Sequence, residues 1–172
     1  SKEPFEAKYQ FGYVASEPTC YDVMTGYDYL EFVASIYQIS EGQFEKTYKF
    51  LAARLDLKEE DLGVQIANYS HGMKQKLAVI ASLIHHPHLL VMDEPFVGLD
   101  PIASHTLKTI MQEFVSEGNI IFFSSHVLEV VEKLCEHVAI INNGKIVYDG
   151  NLESMNKDES LEQLFLELTN HE

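Results

Sequence analysis

The chain has 172 residues, 46% of them hydrophobic, and carries a formal net charge of −15 from 12 Lys and Arg against 27 Asp and Glu. That length suits one sizeable core with at most an added helical lobe. The acidity argues against a nucleic-acid surface, which needs clustered cations, and no apolar run reaches the ~18 residues that span a bilayer.

In chain order, Tyr9 to Val14 alternates like a strand and is broken by Ala15-Ser16-Glu17-Pro18. Tyr27 to Ile39 and Gln43 to Leu55 carry apolar residues at helical spacing, separated by Ser40-Glu41-Gly42, and their aromatics read as helix packing. Cys20 and Cys135 lie far apart and match no metal spacing, so free thiols of a reducing compartment are expected. Ser70 is placed to cap a helix with the stripe Met73, Leu77, Ile80 and Ile84, which Pro87 ends. His85, His86 and His88 are expected to sit in a solvated loop before the apolar strand Leu89 to Met92. That strand reads as buried on both faces of a parallel sheet.

Pro101 suits the first turn of a helix running to about Ser116, followed by a strand from Ile120 to Ser124. His126 heads a helix from Val127 to Cys135. A hairpin follows, Val138 to Ile141 and Lys145 to Tyr148 about an Asn-Gly turn, and the acidic tail holds an amphipathic piece, Leu161 to Leu168.

Two stretches carry chemistry: Y-S-H-G-M-K-Q-K-L from Tyr69, and H-L-L-V-M-D-E-P-F-V-G-L-D ending at Asp100. The second sets Asp93 and Glu94 at the carboxyl end of an apolar strand, where ligands of open α/β sheets bind. One carboxylate there can hold a hydrated Mg²⁺ while its neighbour orients a water toward a phosphate. Ser70 and Gly72 offer a hydroxyl and a backbone N–H at a helix N-terminus, suited to a γ-phosphate. Taken singly, each has a plainer reading. Ser70, Asp93, His126 and Asp100 could be ordinary caps, and Glu94 a salt-bridged surface acid. A phosphate-cleaving site of this kind also needs a loop G-x-x-x-x-G-K-[ST]. None is present, since the only Gly-Lys pair, Gly144-Lys145, continues with Ile146.

Together these residues resemble the nucleotide-binding domain of ABC transporter ATPases over nearly the whole chain. Tyr69 to Met73 is similar to the family's signature motif, Leu89 to Glu94 to its Walker B strand, Val97 to Asp100 to its D-loop, and Ser124-Ser125-His126 to its switch histidine. The resemblance implies an α/β fold with a P-loop NTPase-like (RecA-like) parallel sheet core, incomplete at the N-terminus, and an inserted α-helical signature subdomain. It divides the chain into a core strand and Q-loop (1–18), a helical signature subdomain (19–86), a catalytic core (87–150) and an acidic tail (151–172).

By the same resemblance ATP and Mg²⁺ are the cofactors. Asp93 would hold Mg²⁺ through water, Glu94 and His126 would be catalytic, and Ser70, His71, Gly72, Asp100 and Ser16 would contact the nucleotide. Ser16 stands near where the family has its Q-loop glutamine; it is shorter, which puts direct Mg²⁺ contact in doubt and leaves Glu17 to compensate.

The implied parent is the ATP-hydrolysing subunit of a bacterial exporter on the cytoplasmic face of the membrane. Its partners would be a second nucleotide-binding domain and a transmembrane permease, met by Glu17 to Tyr29. The missing loop favours a fragment that is inactive alone, with an open sheet edge prone to self-association. The competing readings are a soluble ATPase of the same family acting on ribosomes or chromosomes, and a non-catalytic interaction fragment.

Overall fold

The computed structural model describes residues 4–152 and 160–169, with side chains from residue 7 onward. Contacts divide it into two compact units, one ending at Ser124 and one beginning at Ser125.

In the first unit a short helix α1 (Pro4–Tyr9) leads into β1 (Phe11–Val14). Sequence periodicity starts the strand two residues early, because the aromatic alternation of Tyr9 and Phe11 runs through the helix end. The helical segment follows as α2 (Gly26–Ile36), α3 (Glu41–Arg54), the single turn α4 (Glu59–Leu62) and a 3₁₀ turn at Ile66–Asn68. Thr25 starts α2 with a capping box: its Oγ1 accepts from the Asp28 N–H at 3.1 Å, and the Asp28 carboxylate accepts from the Thr25 N–H at 3.4 Å. α2 stops three residues short of the expected Ile39, since Gln38 turns left-handed at φ 55°.

α5 (His71–Leu83) then crosses between this helical layer and the sheet. Its Leu77 and Ile80, with Ile84 just beyond, are fully buried among Leu30, Leu51, Leu55 and Ile66, and burial of this kind supplies about 1.5–3 kcal/mol per large aliphatic side chain.

Three parallel strands form the sheet in the order β1, β2 (Leu89–Asp93), β3 (Ile120–Ser124). The register sets Val14 beside Met92 and Asp93 beside Ser124, so all three carboxyl ends lie at one edge. α6 (Pro101–Ser116) connects β2 to β3 and packs on the sheet side through Leu107, Ile110, Met111 and Phe114. β2 departs from the expectation of two buried faces: Leu90 and Met92 are buried, whereas Leu89 and Val91 are only half covered. The same face of the sheet is bare on β3, where Ile120 and Phe122 are 64% and 67% exposed. Among the described residues, no strand pairs with the far edge of β3.

The second unit holds α7 (Leu128–Leu134), the antiparallel pair β4 (His137–Asn142) and β5 (Lys145–Asn151), and α8 (Leu161–Thr169). The hairpin turns at Asn143 and Gly144, both at positive φ (48° and 73°), which is the demand that an Asn-Gly pair meets. α8 docks on α7 through buried Leu161, whose N–H donates to Glu132 Oε1 at 2.7 Å. Cys20 and Cys135 are both free.

Candidate functional site

The carboxyl edge of the sheet gathers Ser16 beyond β1, Asp93 and Glu94 at the end of β2, and Ser124 at the end of β3. Asp93 and Glu94 are half-buried. Ser124 Oγ donates to Asp93 Oδ1 at 2.5 Å and accepts from the Glu94 N–H at 3.1 Å. Glu94 itself takes φ 47°, a conformation costing a non-glycine residue about 1–2 kcal/mol. The chain then reverses through Pro95 toward Gly98.

Ser70 is the N-cap of α5, and its Oγ accepts from the Met73 N–H at 3.2 Å. That bond uses a lone pair, so the hydroxyl proton remains available to an external acceptor. His71 and Gly72 supply further N–H groups of the first turn, all at the positive end of a 13-residue helix. Two contacts hold this turn to the reversal after β2. Gln75, fully buried, donates from Nε2 to the Pro95 carbonyl at 3.2 Å. Gly98, at φ 77°, lies under the His71 ring, and a Cβ on Gly72 would stand 2.7 Å from the Gly98 carbonyl oxygen.

Asp100 caps α6: Oδ1 accepts from the Ile102 and Ala103 N–H groups at 2.9 and 2.8 Å. Those two bonds hold its carboxyl below the ordinary range, the Ala103 bond contributing most. His126 belongs to the second unit, two residues before α7 rather than at its cap, and beside it Ser125 Oγ accepts from the Val127 N–H at 3.1 Å.

A second feature of the first unit is a cleft of about 340 Å³ bordered by β1, α2 and α5, with Tyr13, Cys20, Tyr29, Tyr37, Ser82 and His85 in its walls. Burial in this wall pushes the Cys20 thiol up and raises the Tyr29 hydroxyl well above its ordinary value. Here the expectation of a solvated histidine loop needs correction. His85 is half-buried, stacks on Tyr37 at 3.8 Å and 6°, and places Nε2 3.2 Å from the Phe11 carbonyl oxygen. Burial pushes its pKa down. His86 does lie exposed, with Nε2 3.0 Å from Gln43 Nε2, and His88 Nδ1 lies 3.1 Å from Asn119 Oδ1. The segment Glu17 to Tyr29 is tied to α5 by Lys74, whose Nζ meets Asp22 Oδ1 at 2.8 Å.

Sequence reasoning missed Gln75, Ser124 as a bridge, and the His71–Gly98 contact. His71, Gly98 and Ser124 all stand in motifs read from the sequence, which does not encode which of them touch; Gln75 lies off the apolar stripe and gave no signal there. The carboxylates and hydroxyl at the ends of β2 and β3 nevertheless suit a hydrated divalent cation, and the first-turn N–H groups of α5 suit a phosphate.

The chain is similar to known proteins along most of its length. The family model described as "AAA domain, putative AbiEii toxin, Type IV TA system" matches residues 29–132. "ABC transporter ATP-binding protein NatA" of Bacillus subtilis (strain 168) is 32% identical over 95% of this chain and 66% of its own. "ABC-type transporter ATP-binding protein EcsA" of the same organism is 33% identical over 98% of this chain and 70% of its own. A solved structure described as "Structure of ATP binding subunit of ABC transporter" superposes with a TM-score of 0.89 at 32% identity, covering 97% of this chain and 71% of that one. The chain spans between 44% and 70% of the length of the first curated relatives.

Proposed function

This chain belongs to the AAA domain family and to the ATP-binding proteins of ABC transporters, and from that premise we propose that it supplies the signature, metal-acid and water-orienting half of an ATP-hydrolysing site shared between two subunits. One observation carries the reading. Asp93 and Glu94 end the central strand, and the N-terminal turn of α5 is fastened to the reversal beyond them through Gln75 and Gly98.

In this reading Asp93 holds Mg²⁺ through water, with Ser16 nearby on the same edge. The cation would neutralise phosphate charge and fix the geometry of the attacked group. Glu94 orients the attacking water and accepts its proton, and His126 senses the γ-phosphate. Ser70 offers its hydroxyl proton, and His71 and Gly72 their first-turn N–H groups, to the γ-phosphate of a nucleotide held by a second copy or a homologous domain. Asp100, its Oδ1 committed to the cap, presents Oδ2 to that partner.

The cleft beside β1 is the proposed seat of a transmembrane permease segment. Tyr13, Tyr21, Phe32 and Ile36 expose apolar surface on the same elements, β1, α2 and the connection between them. Among the described residues no helix is long and apolar enough to cross a membrane. The permease is the proposed point of attachment on the cytoplasmic face. The 172 residues contain no G-x-x-x-x-G-K-[ST] loop, and we propose that by themselves they neither hold ATP tightly nor hydrolyse it.

Steady-state phosphate release from the purified chain with Mg-ATP tests the last point: turnover that Glu94→Gln abolishes would overturn it. Mn²⁺-induced line broadening at the end of β2, lost in Asp93→Asn, tests the metal assignment. Broadening that persists in that variant would remove Asp93 from the role.

A further inference from the structure

We infer that Ser124 is the positioning residue of the acid pair, a single hydroxyl that sets both where Glu94 points and which oxygen Asp93 offers. The inference rests on the reading of Asp93 and Glu94 just given.

The geometry is specific. An ionised carboxylate only accepts and a backbone N–H only donates, so the directions of both bonds at Ser124 Oγ are forced. The one hydroxyl proton goes to Asp93 Oδ1 at 2.5 Å, and a lone pair takes the Glu94 N–H at 3.1 Å. Ser124 reaches both because it stands directly beside Asp93 in the β2–β3 register, at the last paired position of each strand. Beyond that position the β2–β3 ladder ends.

Glu94 departs from the strand with φ 47°. A residue in the left-handed region leaves the up-and-down alternation of the strand, so its side chain goes where the turn, not the sheet, directs it. A side chain of this type takes that conformation only when its surroundings hold it there. The bond to Ser124 pins the amide on the φ side of that turn. On the other partner, the same hydroxyl takes one acceptor site of Asp93 Oδ1, so Oδ2 is the oxygen that would be offered to a cation. Alanine, valine or glycine at 124 would keep the strand but lose both functions at once, whereas threonine would keep the hydroxyl.

The test uses the labelled 172-residue chain and its Ser124→Ala and Ser124→Thr variants, followed by NMR. In Ser124→Ala the Glu94 amide should exchange about ten-fold faster, as loss of one local hydrogen bond predicts, and the Glu94 side-chain carboxyl carbon should shift. Ser124→Thr should restore both signals. Glu94 exchange that does not change, acceleration spread evenly over β2 and β3, or a carboxyl resonance that stays put while the amide responds would each overturn the inference. Mn²⁺ alone, titrated into Asp93→Asn, reports separately on the metal assignment, so the failure of one reading is distinguishable from failure of the other.

Discussion

The imidazole of His71 lies directly over the α-carbon of Gly98: a Cβ built on Gly98 would come within 2.1 Å of His71 Cδ2. The first turn of α5 and the reversal after β2 are therefore in contact through a position where only glycine fits, both by space and by its φ of 77°.

Gly98→Ala should destabilise the chain by about 1–3 kcal/mol in urea unfolding, from the clash together with the left-handed backbone. His71→Ala alone removes an exposed side chain and should cost little. In the double variant the steric part is relieved and the backbone part stays, so the two effects should be less than additive. Strict additivity would show that the ring and Gly98 do not press on one another.

Stability should fall on acidification through His85. Its ordinary pKa is 6.5 and burial lowers it in the fold, with the nearby His86 adding a smaller push in the same direction and the Phe11 carbonyl opposing it. The unfolded chain then binds the proton more readily, so stability rises with pH across that interval. The contribution is fully present above pH 6.5 and is lost as pH falls through the lowered value. His85→Phe, which keeps the stack on Tyr37, should flatten this limb of a pH–stability curve; an unchanged slope would assign it to other groups.

Arg54, in the last turn of α3, forms a two-pronged ion pair with Glu113 of α6 across a cleft of about 450 Å³. The Glu113 side chain is 53% exposed, so Glu113→Gln should cost less than about 1 kcal/mol at low salt. That difference should disappear near 1 M NaCl, where screening acts over a few ångströms. A larger, salt-insensitive loss would mean that the pair carries packing as well as charge.

The bare edge and face of β3 should make the isolated chain self-associate. Phe122→Lys adds charge to a side chain already 67% exposed, so the fold should tolerate it while the apparent mass in light scattering falls toward that of the monomer. Monodisperse monomer for the unmodified chain would contradict the expectation.

Much of the fold was legible in the amino acids because strong local signals coincide with tertiary demands. Ser70 and Asp100 each precede a helix and each caps it, Pro101 opens α6, and Asn143-Gly144 turns the hairpin. Boundaries near Tyr9 and Gln38 slipped where an aromatic pattern or a single left-handed residue, rather than periodicity, decided the end. His85 was misplaced because a short run of histidines looks polar by composition, while the stack that covers one of them comes from Tyr37, just beyond the end of α2 and 48 positions earlier.

Residue order by itself determined that acids stand at the end of an apolar strand, that a capped helix precedes them, and that no phosphate-cradling loop occurs in these 172 residues. Only the tertiary structure decided that these parts meet. Parallel pairing of β2 with β3 set Ser124 against Asp93, and the packing of α5 brought Gln75 to Pro95 and His71 onto Gly98. Such contacts join residues 20 to 31 positions apart, and no local preference encodes them. They arise because burying one helix between a sheet and a helical layer sets its side chains against residues distant in sequence, where Gln75 Nε2 meets the Pro95 carbonyl.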